Sequence, residues 1–393
     1  MKKLLTIILL FSFGCPKCQS GYLGVISNDP LGNIFNVAFA SADSTLFTRN
    51  GSSGVWTYGS GSLSISGTGQ NNSNNNIYYT NWITDLEKSS CEIIFTPTGD
   101  GSGIGLGFAG SNGFDMIGRI ILTGATKGQL RFDGGNAASV NHATSSTLFS
   151  VTNGQQHKLT LTRTPSQVFV TILNTVTSAT LTLTYNVDFT TTAFDSYKAG
   201  NIGVFWYGGS QTITNFRYFS TMLKQPRILF TGDSNMQGAY AGSNDARYTI
   251  ELGNAVKNRL EVVSGGGNTS ADIVKLLPEI LLITPQSVFV NIGTNGITQS
   301  DIDTIRNRLT RNNIKVFLST IFPTTSGVDG QNSIIRGESG VTLIDFDSTL
   351  INGGSVLYSG YVTTGNCCHL NSTGNMAVYT QLFLNLTGYL TPN

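Results

Sequence analysis

The C-terminal part of the chain contains four short polar segments whose residue types could carry out acyl transfer. They are Gly232-Asp233-Ser234, Gly267-Asn268-Thr269, Gly293-Thr294-Asn295 and His369. A serine hydroxyl can act as a nucleophile, an imidazole can act as its general base, and amide groups can stabilise an oxyanion. A Gly-Asp-Ser tripeptide alone is a weak motif, but the four segments together supply every group that attack on an ester carbonyl requires.

Each of the first three segments directly follows an apolar run that is typical of a β-strand. These runs are Arg227–Thr231, Glu261–Ser264 and Ser287–Ile292. In an open α/β sheet, ligands bind beyond the carboxyl ends of the parallel strands. We therefore expect the serine, a glycine amide and an asparagine amide to line one crevice. His369, which precedes a helical pattern, is expected to complete it.

On these segments the chain resembles the SGNH (GDSL-like) hydrolase family, over residues 225–390. The resemblance implies that Ser234 is the nucleophile and that His369 is the general base. The amides that it implies for binding the oxyanion are those of Ser234, Gly267 and Asn295. It also implies an SGNH hydrolase fold and an ester hydrolase that needs no metal or cofactor.

The residue expected to orient the imidazole departs from the family pattern. The family has an aspartate three residues before the histidine, whereas this chain has Asn366. An asparagine oxygen can accept a hydrogen bond from the ring, but it cannot offset the ring's positive charge. In a serine protease the same replacement lowers turnover about 10⁴-fold. Asp345 and Asp347 are alternative acids from an earlier apolar run, and we favour a Ser234–His369 dyad assisted by Asn366.

Each assignment has a structural alternative. Ser234 could cap a helix, Gly267 could belong to a flexible turn, and Asn295 could hold an Asx turn. Asp233 is interpreted as a structural residue that bonds loop amides. The chain has three histidines. His142 and His157 belong to the N-terminal half and are interpreted as ordinary surface or strand residues.

Residues 21–221 form a region of period-two alternation with polar turns. Runs such as Ser62–Ser66, Lys158–Thr162 and Thr180–Thr184 alternate apolar and polar residues. Many short strands of this kind indicate an antiparallel β-sandwich. On Gly200–Tyr207 and Thr214–Phe216 the region resembles a concanavalin A-like or laminin-G-like jelly roll, which implies a carbohydrate-binding module.

Residues 225–393 alternate strand and helix patterns, so a second, α/β domain with a parallel sheet is predicted there. Thr269-x-x-Asp272 and Thr298-x-x-Asp301 are capping-box patterns, each followed by apolar residues at helical spacing. Further strands are expected in Val316–Ser319 and Val341–Phe346. A final helix is expected in residues 374–386.

The N-terminus indicates export. Lys2 and Lys3 precede an apolar stretch that is too short to span a bilayer, so residues 1–20 are predicted to be a signal peptide. Alternatively, Cys15 could be lipidated as a membrane anchor. No later apolar run is long enough for a transmembrane segment. The net charge of +1 and the lack of a basic run argue against nucleic acid as a partner.

These observations predict a secreted or surface-attached two-domain serine esterase. Its most favoured substrate is an O-acetylated polysaccharide, because SGNH enzymes joined to jelly-roll modules resemble polysaccharide deacetylases. Two alternatives stay open. One is a catalytically weak or inactive glycan-binding protein, for which Asn366 is the reason, and the other is an acyl hydrolase of the lipase or thioesterase kind.

Overall fold

The structure is a computed structural model of the 393-residue chain. It describes residues 30–51, 54–67, 76–84, 88–110, 114–136, 140–187, 200–239, 241–242, 247–255, 260–322, 328–349, 361 and 369–390. Three of the sequence predictions concern residues outside this set: the signal peptide, lipidation of Cys15 and the role of Asn366.

The N-terminal half is built from fifteen described strands and two 3₁₀ turns, at Ser41–Leu46 and Gly124–Thr126. The strands are β1 (Pro30–Val37), β2 (Phe47–Asn50), β3 (Val55–Tyr58), β4 (Leu63–Ser66), β5 (Asn76–Thr84), β6 (Ser89–Pro97), β7 (Gly101–Gly110), β8 (Phe114–Leu122), β9 (Leu130–Asn136), β10 (Val140–Thr144), β11 (His157–Arg163), β12 (Gln167–Asn174), β13 (Thr180–Asn186), β14 (Gly200–Gly208) and β15 (Gln211–Leu223).

These strands form two antiparallel sheets that face each other, as the alternation predicted. One sheet has the order β13-β12-β11-β6-β15-β4-β3, with β1 also paired to β15, and the other has the order β10-β9-β8-β7-β14-β5-β2. Burial alternates residue by residue along β11 and β12. The inward side chains, among them Leu161, Val170 and Trp206, fill a common core, so the N-terminal half is an antiparallel β-sandwich.

The C-terminal half contains a five-stranded parallel sheet. Its strands are β16 (Ile228–Gly232), β17 (Leu260–Ser264), β18 (Ser287–Asn291), β19 (Lys315–Ser319) and β20 (Thr342–Ile344). They lie in the order β17-β16-β18-β19-β20, and Gly232 pairs with both Ser264 and Asn291. The chain therefore leaves β16, β17 and β18 at the same level. In this strand order the crevice for a ligand lies where β16 meets its neighbours.

Seven described α-helices accompany this sheet. They are α1 (Ser234–Gln237), α2 (Tyr248–Ala255), α3 (Ser270–Ile283), α4 (Gln299–Arg311), α5 (Asp329–Arg336), α6 (Phe346–Thr349) and α7 (Ser372–Leu390). The first predicted capping box is confirmed, because Thr269 N–H donates to Asp272 Oδ2 at 3.0 Å. The second is formed in part: Thr298 Oγ1 accepts from Asp301 N–H, but Thr298 N–H donates to Ser270 Oγ and not to Asp301. The strand predicted in Val341–Phe346 is shorter in the structure. It ends at Ile344, and Phe346 begins α6.

Buried polar contacts join the sandwich to the parallel sheet. Lys88 Nζ lies 2.9 Å from Oε2 of Glu261 on β17, and Leu223 N–H donates to Oε1 of the same carboxylate at 3.0 Å. Tyr218 Oη donates to Glu279 Oε1 on α3 at 3.2 Å. Glu261 lies at the amino end of its strand and Glu279 in the second half of α3. These polar contacts therefore lie away from the strand end that carries Ser234.

Among the described residues, no helix combines the length and hydropathy needed to cross a bilayer.

Candidate active site

Ser234 stands at the carboxyl end of β16, as the first residue of the short helix α1. The preceding Gly232 has no room for a side chain, since a Cβ there would lie 2.1 Å from the carbonyl oxygen of Asn291. A glycine at this position lets β16 and β18 approach closely where the chain turns. Ser234 is 4% exposed, so its hydroxyl is held within the crevice.

Asp233 caps α1 and is fully buried. Its Oδ1 accepts a hydrogen bond from Asn235 N–H at 3.0 Å. Burial raises the pKa of Asp233 to about 6, although the hydrogen bond from Asn235 acts in the opposite direction. The structure thus gives Asp233 the loop-bonding role that the sequence suggested.

The imidazole of His369 meets the hydroxyl of Ser234. The Nε2 atom lies 2.8 Å from Ser234 Oγ, which is a hydrogen-bond distance. His369 is half-buried, and the residues after it are anchored by Asn375. Asn375 Nδ2 donates to Leu370 O at 3.2 Å, and its Oδ1 accepts from Tyr248 N–H at 3.3 Å. Helices α2 and α7 together therefore fix the segment that presents the imidazole.

Gly267 occupies a tight turn after β17. Asn268 N–H donates to Gly265 O at 3.1 Å, and Gly267 has a φ of +73°, the left-handed conformation that favours glycine. The N–H of Gly267 belongs to the central peptide of this turn. Among the described residues no acceptor takes that N–H, so it is available to bind an oxyanion.

Asn295 follows β18 and lies on the exposed rim of the crevice. Its Nδ2 donates one hydrogen bond to the carbonyl oxygen of Asn268 at 3.2 Å. An amide nitrogen carries two hydrogens, so the second one is left for another acceptor. The bond to Asn268 thus orients the Asn295 amide and leaves its second N–H able to donate to another acceptor.

The two alternative acids are held by an arginine. Arg336 of α5 donates to Asp345 Oδ1 at 2.9 Å and to Asp347 Oδ2 at 2.7 Å, and Thr320 Oγ1 donates to Asp345 at 3.0 Å. Burial alone would raise the pKa of Asp345, but the hydrogen bonds from Arg336 and Thr320 outweigh it and hold the pKa below its ordinary value. Asn366 lies outside the described residues, so its relation to His369 stays a prediction.

The other two histidines lie in the sandwich. His157 is the first residue of β11, which agrees with its interpretation as a strand residue, and it is completely buried beside the rings of Phe95 and Phe149. Its Nδ1 lies 2.9 Å from Gln155 O. His142 on β10 packs against Phe132. In the part of the chain that the structure describes, no group of three or more His, Cys, Asp or Glu side chains could hold a metal ion.

Two asparagines at the site had no role in the sequence interpretation. Asn268 is completely buried, and its Nδ2 donates to Gly232 O at 3.1 Å. Asn375 is 1% exposed and supports the segment of His369. The only sequence signal for Asn268 is its place between Gly267 and the helix cap Thr269. Asn375 has no signal beyond its position near the start of a helix.

No protein-family model matches the chain, and no curated protein matches it. Several solved structures are similar. Lectin II from Ulex europaeus is 13% identical, with 49% of this chain and 99% of the lectin covered and a TM-score of 0.38. The carbohydrate-binding module CBM66 from Bacillus subtilis is 12% identical, with 44% and 96% covered and a TM-score of 0.33. A G-D-S-L family protein from Desulfitobacterium hafniense is 21% identical, with 39% and 97% covered and a TM-score of 0.33. At these values none of them assigns an activity to this chain.

Proposed function

We propose that this chain is an exported serine esterase of the SGNH hydrolase type that hydrolyses carboxylic esters. One observation carries the proposal: His369 Nε2 lies 2.8 Å from Ser234 Oγ. A hydroxyl bonded to an imidazole is the pair that nucleophilic catalysis at an ester requires. The N–H of Gly267, for which no described residue is an acceptor, and the Asn295 amide follow the two strands beside β16 and supply donors for an oxyanion.

The first half of the reaction forms an acyl-enzyme. Ser234 Oγ attacks the acyl carbon while His369 Nε2 takes the hydroxyl proton. The carbonyl oxygen receives the electron pair of its π bond, and the N–H groups of Ser234, Gly267 and Asn295 donate to the resulting oxyanion. When the intermediate collapses, the bond to the alcohol oxygen breaks and His369 returns the proton to that oxygen.

The second half releases the acid. A water molecule attacks the acyl carbon of the Ser234 ester while His369 takes one proton from it. The new tetrahedral intermediate collapses, the bond to Ser234 Oγ breaks, and the proton passes from His369 to that oxygen. The free carboxylic acid leaves and both side chains return to their starting state.

The substrate class that we propose is an O-acetylated polysaccharide, with the β-sandwich as a glycan-binding module. The polar rim near Ser234 supports a polar substrate. Asn295 is exposed and Thr294 is half-buried there, and Asn235 Nδ2 lies 3.5 Å from Thr294 Oγ1. Amide and hydroxyl groups suit a sugar ring bearing a small acyl group better than a long hydrocarbon chain.

The test is release of acetate from a panel of acetylated polysaccharides and from a small acetyl ester. The proposal expects hydrolysis by the wild-type chain and none by Ser234→Ala. Ser287→Ala is the matched control, because Ser287 is likewise a buried serine of the α/β half. It lies at the start of β18, at the opposite end of the strands from Ser234, and its hydroxyl donates to Arg227 O at 2.8 Å. Glycan binding without any ester hydrolysis would contradict the proposal in favour of a binding protein. A preference for long acyl chains would contradict the substrate class.

A further inference from the structure

Asn268 contacts all three loops that form the candidate oxyanion site. Its Nδ2 donates to Gly232 O at 3.1 Å, two residues before Ser234. Its carbonyl oxygen accepts from Asn295 Nδ2 at 3.2 Å. Its own N–H closes the turn that contains Gly267, by donating to Gly265 O at 3.1 Å. One residue is therefore bonded to the last residue of β16, to the turn after β17 and to the Asn295 side chain after β18.

The bond to Gly232 O requires a hydrogen-bond donor on the side chain at position 268. The carbonyl of Gly232 can only accept, so the atom that faces it must be a donor, and this fixes the orientation of the Asn268 amide. Gly232 O also accepts from Gly265 N–H at 3.3 Å. An aspartate would bring a carboxylate oxygen against the carbonyl, and a leucine of similar size would leave Gly232 O with only the longer bond from Gly265 N–H among the described residues.

Folding stability alone does not explain why position 268 is an asparagine. Asn268 is completely buried, and among the described residues its Oδ1 has no hydrogen-bond donor. A buried acceptor without a donor is unfavourable for folding. Asn268→Leu removes that acceptor, and Gly232 O, which loses the bond from Asn268, keeps the one from Gly265 N–H at 3.3 Å. The hydrogen bonds of Asn268 instead fix the positions of Gly232, the Gly267 turn and the Asn295 amide relative to one another, and in the proposed function these segments bind one oxyanion.

We propose that Asn268 is a positioning residue of the esterase site: it holds the Ser234 turn, the Gly267 turn and the Asn295 amide in register. This inference rests on the proposed function. It adds a residue that touches neither the substrate nor the reacting atoms. A displacement of about 1 Å in such a site can lower the rate on the order of 10²-fold.

The test measures kcat, KM and thermal stability of Asn268→Leu on a small acetyl ester. The expected result is a fall in kcat of about 10²-fold with KM and the melting temperature little changed. The matched control is Asn174→Leu in the sandwich. Asn174 is also buried, and its Oδ1 accepts from Val176 N–H at 2.9 Å and from Thr177 N–H at 3.0 Å. That variant should lose stability and keep its kcat.

Asn268→Asp supplies a second readout that a purely structural residue would not give. A protonated carboxylic acid can donate to Gly232 O, whereas the carboxylate cannot. The kcat of Asn268→Asp, divided by that of the wild type, should therefore rise as the pH falls. If Asn268→Leu keeps wild-type kcat, or loses activity only in proportion to unfolding, the inference is wrong. If the wild-type chain itself hydrolyses no ester, the proposed function fails first.

Discussion

His369 and Ser234 are 135 residues apart in the sequence, yet the Nε2 of one lies 2.8 Å from the Oγ of the other. The parallel sheet brings Ser234 to the end of β16, and contacts between α2 and α7 bring His369 to it. Neither helix contains Ser234 or His369. The relation between the two side chains therefore depends on the packing of the whole α/β half.

The buried carboxyl of Asp233 predicts a pH dependence of stability. Its pKa in the folded chain is about 6, above the ordinary value of 3.8. The folded state thus binds the proton more tightly than the unfolded chain. The free energy of unfolding should therefore fall by roughly 2–3 kcal/mol as the pH rises from 3.8 to about 6. In Asp233→Asn this contribution should be absent, because an amide does not titrate, and the variant should still fold because asparagine caps the helix about as well. Urea unfolding at pH 4 to 8 measures it.

The same variant separates a structural Asp233 from a catalytic one. Asp233→Asn should keep kcat within a few-fold, since the cap is retained. If Asp233 were the acid that orients His369, the replacement would lower kcat on the order of 10⁴-fold. A loss of that size in a folded variant would show that the role assigned to Asp233 is wrong.

Asn295 should be important for turnover and unimportant for stability. Removing one oxyanion donor from a serine hydrolase lowers kcat about 10²- to 10³-fold. The side chain is exposed, so Asn295→Ala should change the free energy of unfolding by no more than about 0.5 kcal/mol. Steady-state kinetics and thermal unfolding of the same sample test both statements. An unchanged kcat would remove Asn295 from the oxyanion site.

The parallel sheet could be predicted closely from the sequence, and the shorter helices could not. Four of its strands both start and end within one residue of the apolar runs, because each run is bounded by glycine, polar caps or helical spacing. Helix α1 is only four residues long, and α2 contains Gly253. Tyr248 and Leu252 of α2 are buried against Val378 and Leu382. That packing stabilises the helix and leaves no local signal.

The chemical groups of the site could also be proposed from the sequence, while their supports could not. A serine, a glycine turn, an asparagine and a histidine each follow a strand or precede a helix. Asn268, in contrast, acts through the carbonyl of Gly232, 36 residues away, and the bond exists only in the folded chain. The bond from Tyr248 N–H to Asn375 Oδ1, which joins residues 127 positions apart, has the same origin.

The sandwich and the α/β half should unfold together. Glu261 is buried at 2% side-chain exposure and bonds Lys88 and the Leu223 N–H across the boundary. All three tryptophans, at 56, 82 and 206, precede the α/β half, so their fluorescence reports on the sandwich. The described α-helices all follow Asp233, so ellipticity at the helix band reports on the other half. Denaturant curves from the two probes should coincide; separate midpoints would show independent domains.

Lys88→Ala tests the energetic part of that coupling. Removing one partner of a buried ion pair is strongly destabilising, but Lys88 is 37% exposed and the effect is screened. We expect a loss of about 1–2 kcal/mol in both probes. Lys127→Ala is the control, because its partner Asp100 is 63% exposed whereas Glu261 is 2% exposed, and its loss should be close to zero.

Asn366 predicts a gain of function. The residue lies outside the described part of the chain, and the expectation comes from its place three residues before His369. Asn366→Asp should raise kcat on a small acetyl ester by roughly ten-fold, a part of the serine-protease effect. A carboxylate there should also raise the pKa of His369 and move the acidic limb of the pH–rate profile upward.

The Asp345→Asn variant is the companion to this experiment. Asp345 is bonded to Arg336 and Thr320, so its loss should reduce stability and leave kcat within a few-fold. If Asn366→Asp has no effect on the rate while Asp345→Asn abolishes activity in a folded protein, the orienting acid comes from the end of β20 and not from position 366.

The most direct test of the central claim is reaction with a serine-directed phosphonate, followed by peptide mapping. The Ser234–His369 pair should give a single labelled residue, Ser234, with loss of ester hydrolysis in proportion to labelling. His369→Ala should label far more slowly, while His142→Ala, altered in the sandwich, should label at the wild-type rate. Labelling of another serine, or ester hydrolysis that survives in Ser234→Ala, would contradict the account.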